Sequence, residues 1–280
     1  MAEKTIKELV REEYIKCAKS PVYFMKKYCM IQHPTKGKIP FHLYPYQEDT
    51  LQDFQENDRI IILKSRQLGI STLIAGYALW MILFQNDKNV LVVAIDQNTS
   101  KNLVTKVRVM FDNLPSWLKL TAVESNKLSM RLSNGSQIKA VASTGTSGRS
   151  EALSLVIIDE CAFVDAEDLW ASLQQTLSTG GQGILLSTPN GTGNFFHKMW
   201  VKAEAGENKF KTKRLPWQVH PERDQAWRDR QDEELGPRLA AQECDCLWGS
   251  SVITLQDSLG NEFKTTLEDL FWDLQEGDYL

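Results

Sequence analysis

The sequence predicts an α/β protein whose mostly parallel sheet is covered by helices on both faces. Two observations carry that prediction: aliphatic runs end near Lys64, Ile95, Asp159 and Ser187, and segments of helical pattern separate them. Strands buried on both faces read as continuous Ile, Leu and Val, and helical crossovers join parallel neighbours. Size is the third. With 280 residues, 42% hydrophobic and 24% charged, the chain has enough apolar surface for one large domain, or for one domain and an appendage.

Taken in order, residues 5 to 30 read as helical, and the Gly and Pro between 34 and 45 break the chain before its first strand. That strand is Arg59-Ile-Ile-Ile-Leu63, ending at Lys64. Ser65 to Ser71 is a turn, and Thr72 to Phe84 is a helix apolar on most faces. Although Gln67 to Asn86 carries no charge, its continuously apolar part, Leu73 to Phe84, is twelve residues, and a spanning helix needs about 20. It reads as a core helix. Val90 to Ile95 is the next strand, residues 96–100 cap a helix, and Pro115 closes that helix. Alternating segments on either side of Asn134-Gly135 give a hairpin. Leu155 to Glu160 and Gly183 to Ser187 are buried strands, with a helix from Asp165 to Leu177 between them.

Charge and cysteines narrow the class. The net charge of −4 advertises no global attraction to nucleic acid, so a DNA contact needs a local patch. Residues 246–280 hold seven acids and one base, which leaves +2 on residues 1–245. Five cysteines without a regular framework fit a reducing compartment, and the charged N-terminus lacks the apolar core of a signal peptide. His33, His42, His197 and His220 show no metal-ligand spacing.

Ligands of open parallel sheets bind beyond the carboxyl ends of the strands, and three such ends carry chemistry. Lys64-Ser65-Arg66-Gln67-Leu68-Gly69-Ile70-Ser71-Thr72 has the layout of a GxxxxGKS/T phosphate loop, with Lys64 for the first glycine and Ile70 for the lysine. A turn entering a helix offers N–H groups and a positive dipole end to phosphates, and Ser71 or Thr72 offers a hydroxyl to Mg2+. Either Lys64 or Arg66 restores the missing cation. The run Leu155 to Ile158 ends in Asp159-Glu160, one acid to hold Mg2+ and one to orient or deprotonate water. Ser187-Thr188-Pro189-Asn190-Gly191 places a polar sensor beside the terminal phosphate.

Assembled, residues 20 to 245 resemble the ATPase half of a tailed-phage terminase large subunit, a P-loop NTPase that packages DNA. The loop from Lys64 to Ser71, Val156-Ile-Ile-Asp-Glu-Cys-Ala-Phe163 and Leu185-Leu-Ser-Thr-Pro-Asn-Gly191 carry the resemblance. It implies ATP and Mg2+ as cofactors, Ser71 and Asp159 on the metal, Glu160 as catalytic carboxylate, and Ser187 and Thr188 as sensors. It implies that Tyr46 stacks on adenine, that Gln47 reads its edge, and that Arg149 is offered to a neighbouring subunit's ATP. The implied partners are double-stranded DNA, portal protein, small terminase subunit and further copies in a ring, in the host cytoplasm with no membrane. A helicase-like ATPase and a non-hydrolysing nucleotide-binding assembly module are the alternatives.

Such terminases continue into a nuclease domain, whereas here Glu243-Cys-Asp245 is followed by Cys246-Leu-Trp-Gly-Ser-Ser-Val-Ile-Thr-Leu255. That segment resembles the first block of an intein. It implies two units, an ATPase domain at 1–245 and a short β-rich intein fragment at 246–280, with Cys246 as the splicing nucleophile. The remaining partner is then a complementary intein fragment fused to the nuclease half, the intein being split or the sequence truncated.

Overall fold

The computed structural model describes residues 4–143, 152–177, 180–246, 252–256, 260–266 and 270. Helix α1 (Ile6–Lys19) starts in a capping box, with Thr5 N–H donating to Glu8 Oε2 at 2.8 Å and Glu8 N–H to Thr5 Oγ1 at 3.4 Å. Ser20 caps α2 (Pro21–Tyr28), whose first position holds the proline that suits it. A small hairpin of β1 (Met30–His33) and β2 (Gly37–Pro40) occupies the stretch expected only to break the chain, and leads into α3 (Pro45–Glu56). Then come β3 (Arg59–Lys64), α4 (Ile70–Phe84), β4 (Asn89–Ala94), α5 (Gln97–Asp112), β5 (Ala122–Ser125), β6 (Ser129–Leu132) and β7 (Gln137–Ala142). The order continues with β8 (Leu155–Asp159), α6 (Glu167–Thr176), β9 (Gln182–Ser187), α7 (Phe195–Glu204), β10 (Lys211–Leu215), α8 (Gln225–Leu235) and α9 (Pro237–Ala240). A separate antiparallel pair, β11 (Val252–Gln256) and β12 (Glu262–Thr266), lies in the acidic tail.

The eight-stranded sheet runs β10-β3-β9-β8-β4-β7-β6-β5. Every pair from β10 to β7 is parallel, and β6 and β5 add on antiparallel through the Asn134-Gly135 hairpin. The aliphatic runs fill its centre. Alternation splits their side chains between two cores: Ile60, Ile62, Val90, Val92, Ile157 and Ile184 face α4 and α5, while Ile61, Leu63, Leu91, Val93, Ile158 and Leu185 face α6 and α7. Both faces are therefore covered, which is why these strands contain no polar alternation. Helix α4 is buried nearly all round because it lies beneath the sheet with α2, α3 and α5 against it. Gly76 permits that approach, since a Cβ there would come within 2.9 Å of Met25 Sδ.

Strand β10 has no aliphatic run and was not legible as a strand. It is an edge, with Lys211 and Arg214 exposed, and Lys213 ties it to α3 through Asp49 and, at 2.6 Å, Asp53.

Candidate functional site

Strand register assembles the site from distant parts of the chain. Leu63 of β3 lies opposite Ser187 of β9, and Asp159 of β8 lies opposite Leu186. Three carboxyl ends thus bring Lys64, Glu160 and Ser187 together. Lys64 Nζ is 3.0 Å from Glu160 Oε1. The other carboxylate oxygen accepts from the Ser187 hydroxyl and the Thr188 N–H, each at 3.4 Å. Ser187 Oγ in turn accepts from Ala162 N–H at 3.1 Å, which fixes the serine against the turn that follows β8.

Two adjacent carboxylates take different environments because the backbone turns between them. Glu160 has φ +52°, a left-handed conformation that costs a non-glycine residue on the order of 1–3 kcal/mol, and its N–H donates to Asp159 Oδ1 at 3.0 Å. Asp159 stays buried while the Glu160 side chain is partly open. Burial pushes the Asp159 carboxyl above the ordinary range, with the Glu160 charge adding to the rise; Lys64, a Ser71 hydrogen bond and Lys106 pull it back. Lys106, on α5, is itself lowered by burial and held up by Asp159. Nothing in the sequence separates it from the other lysines of that helix.

Ser71 and Asp159 are hard oxygen donors, which suits Mg2+, an ion that takes one or two carboxylates together with substrate phosphates. Among the described residues no three of His, Cys, Asp and Glu cluster as a metal cage.

The loop after β3 enters α4 through Gly69 at φ +71°, where a Cβ would meet Gln47 Nε2 at 2.8 Å, so glycine is required. Leu68 and Ile70 bury their side chains in the core. A lysine at position 70, where the GxxxxGKS/T layout has one, therefore has no polar space here. Lys64 faces the two carboxylates. Arg66 is mostly exposed and pairs instead with Glu243, whose carbonyl also accepts from the Arg66 N–H at 2.8 Å.

Gln47, expected to read the adenine edge, is buried beside the loop after β3. Its Oε1 accepts from Tyr44 N–H at 3.1 Å and its Nε2 donates to Leu68 O at 3.0 Å, so the buried amide is occupied with the loop. The Tyr46 hydroxyl donates to the same Leu68 carbonyl at 2.8 Å. Tyr44 stacks parallel to Tyr46 at 5.8 Å and lies 4.7 Å from the His220 ring, a neighbour that sequence spacing could not reveal. Arg149 lies outside the described residues.

Cys246 is packed rather than exposed. Its thiol donates to Leu215 O at 3.3 Å and burial pushes its pKa up to about 12, so it is protonated in this conformation. Asp245 before it is gripped by Arg228, Nε to Oδ1 at 2.8 Å and Nη2 to Oδ2 at 2.9 Å.

Comparison with known proteins gives a family match. The model for "Terminase large subunit, T4likevirus-type, N-terminal" matches residues 61–268, a stretch that runs past the boundary expected at 245. The large terminase ATPase domain of Thermus phage P74-26 is similar at 19% identity and TM-score 0.63, over 73% of this chain and 93% of that one. The HK97 bacteriophage large terminase is similar at 16% identity and TM-score 0.67, over 84% of this chain and 56% of that one. A large terminase of a thermophilic bacteriophage, solved with ATP-gamma-S, is similar at 12% identity and TM-score 0.56, over 68% and 49%. The chain spans about half the length of these last two. At such identities the likeness is one of fold.

Proposed function

Because the chain belongs to the family of T4likevirus-type terminase large subunits, over its N-terminal region, we propose that it hydrolyses ATP beyond β3, β8 and β9 to drive double-stranded DNA. The observation that carries this reading is the junction of Lys64, Glu160 and Ser187 at three strand ends, next to a helix-entering loop. A pure binding module has no use for the second carboxylate, and a helicase-like ATPase is disfavoured by the family match.

Phosphates settle over the loop, and Lys64 leaves Glu160 for a phosphate oxygen. The freed carboxylate takes a proton from water as the water oxygen attacks the γ-phosphorus and ADP leaves. Ser71 and Asp159 would hold Mg2+, which when bound neutralises charge on the phosphate oxygens. Ser187 and Thr188 touch the same carboxylate, so its state is passed to the turn after β9. There the Gln242 amide donates to Pro189 O at 3.0 Å, which links the turn to the segment beyond α9. Tyr46 and Gln47 brace the loop, and the Tyr44 and His220 rings offer the base a stacking surface. Arg149 serves a neighbouring copy's ATP in a ring that works with portal protein and small subunit in the host cytoplasm; its motif and the family support this.

Steady-state ATPase of the full chain, with and without duplex DNA, tests the reading. Turnover that DNA stimulates and Glu160→Gln abolishes is expected; no turnover with added DNA and Mg2+ overturns it.

For the tail we infer a splicing role from the residues alone: the Cys246 block and the acidic shift. The Asp245–Cys246 amide would become a thioester once a complementary intein fragment freed the buried thiol. Mixing with such a fragment and following mass decides it. Cys246→Ala should abolish ligation and Cys244→Ala should not, and normal ligation in Cys246→Ala refutes the assignment.

A further inference from the structure

We propose that Arg223, between β10 and α8, is the positioning residue that holds the phosphate loop in its binding conformation. The inference rests on the reading of residues 64–72 as that loop. One Nη of Arg223 donates to Ser65 Oγ at 3.3 Å, and the other donates to the carbonyls of Arg66 at 3.1 Å and Gln67 at 3.2 Å. The next carbonyl, Leu68 O, is taken by Tyr46 and Gln47. Three consecutive loop carbonyls therefore accept from side chains outside the loop.

The consequence follows from peptide geometry. In a trans peptide the C=O and the following N–H point in opposite directions, so drawing the carbonyls of 66, 67 and 68 outward turns the N–H groups of 67, 68 and 69 the other way. Among the described residues, none of the N–H groups from 67 to 71 has a hydrogen-bond acceptor in the protein. Successive N–H groups facing one side form a nest for an anion. Gln67, at the apex, has φ +57°, a conformation a non-glycine residue holds only when its surroundings impose it.

The residue type suits the task. A planar fork reaches two carbonyls and a hydroxyl at once, and its flat face stacks on Trp227 with the guanidinium carbon 4.3 Å from the ring centroid. A lysine is a point charge that cannot do both. With three of its five N–H groups given to the loop, Arg223 acts on nucleotide through the loop.

The test is titration of the full chain with fluorescent ATP and ADP analogues, competition by adenosine, and steady-state ATPase. Arg223→Ala should weaken both nucleotides and raise KM by about tenfold, ~1.4 kcal/mol, with kcat within about twofold of parental. Adenosine binding should stay parental, Tm should fall by no more than about 4 °C, and Arg223→Lys should recover only part of the loss. Parental nucleotide affinity in Arg223→Ala overturns the proposal. So does an equal loss of adenosine affinity with a lowered Tm, which marks a general structural role, and so does full rescue by lysine. A parental protein that binds neither ATP nor ADP overturns the nucleotide site itself, a separate result.

Discussion

Replacing Glu160 by glutamine separates nucleotide binding from turnover. The amide keeps the shape of the side chain but neither accepts a proton nor carries charge. In the nucleotide-free protein it removes half of an ion pair 3.0 Å long, a gross attraction of about 5 kcal/mol at an effective dielectric near 20. The net cost is much smaller. Solvent reaches the Glu160 carboxylate, and Asp159 shares the Lys64 ammonium, its own ionisation suppressed by burial and by the Glu160 charge. With that charge gone Lys64 still has the Asp159 carboxyl beside it, so the loss of stability is about 1 kcal/mol, a fall in Tm of roughly 2–4 °C. Turnover should drop about 100-fold or more, as loss of a general base does. Affinity for Mg-ATP should hold or rise, because Lys64 no longer leaves a carboxylate to reach phosphate. Single-turnover hydrolysis, nucleotide titration and thermal melting read the three effects. Parental turnover with intact affinity refutes the general-base role, and a fall in Tm beyond about 10 °C refutes compensation by Asp159.

Other substitutions divide the site further. Asp159 titrates above its unfolded value, so its contribution to stability is full below that value and is lost as pH rises through the folded one. Asp159→Asn should therefore raise the Tm of metal-free protein at neutral pH, lose that advantage in acid and abolish turnover; a lower Tm at neutral pH contradicts the burial argument. Lys64→Ala should raise the KM for ATP about tenfold or more, whereas Arg66→Ala, whose side chain faces solvent and Glu243, should change it less than about threefold. The reverse order would make Arg66 the main phosphate cation. Ile70→Lys places an ammonium where the isoleucine is 1% exposed, and should lower Tm by at least about 10 °C or leave the protein insoluble. A soluble variant with parental Tm refutes this.

Much of the fold was legible because buried parallel strands have to be aliphatic. β3, β4, β8 and β9 announce themselves that way, and Asn134-Gly135 announces its turn. β10 did not, since an edge strand of Lys-Thr-Lys-Arg-Leu has the composition of a solvated loop and becomes a strand only by pairing with β3. The site divides along the same line. Lys64, Asp159, Glu160 and Ser187 follow strands that the pattern locates. Lys106, His220 and Arg223 reach the site from helices and loops whose placement depends on the whole fold, so no local spacing marks them. The motif singles out Gln47, but its bonds to Tyr44 N–H and Leu68 O were not legible, because a glutamine amide can serve a base or a backbone group equally well. In the tail the acidic shift and the cysteine were visible, whereas the packing that buries Cys246 depends on β10 and the core face beside it.

The pairing of β10 with β3 also sets the order in which the domain is completed. Lys211 lies opposite Ile60 and Leu215 opposite Lys64, partners roughly 150 residues apart, and Ser65 N–H and Arg66 N–H await Leu215 O and Glu243 O, each at 2.8 Å. A growing chain therefore exposes one edge of the aliphatic strand β3 until residues near 215 arrive, and lacks the backbone partner of Arg66 until residues near 243 do. Contacts so distant in sequence form slowly. The late strand brings Lys211, Lys213 and Arg214 to the outer rim, converting an edge prone to pairing with other chains into one that charge keeps apart.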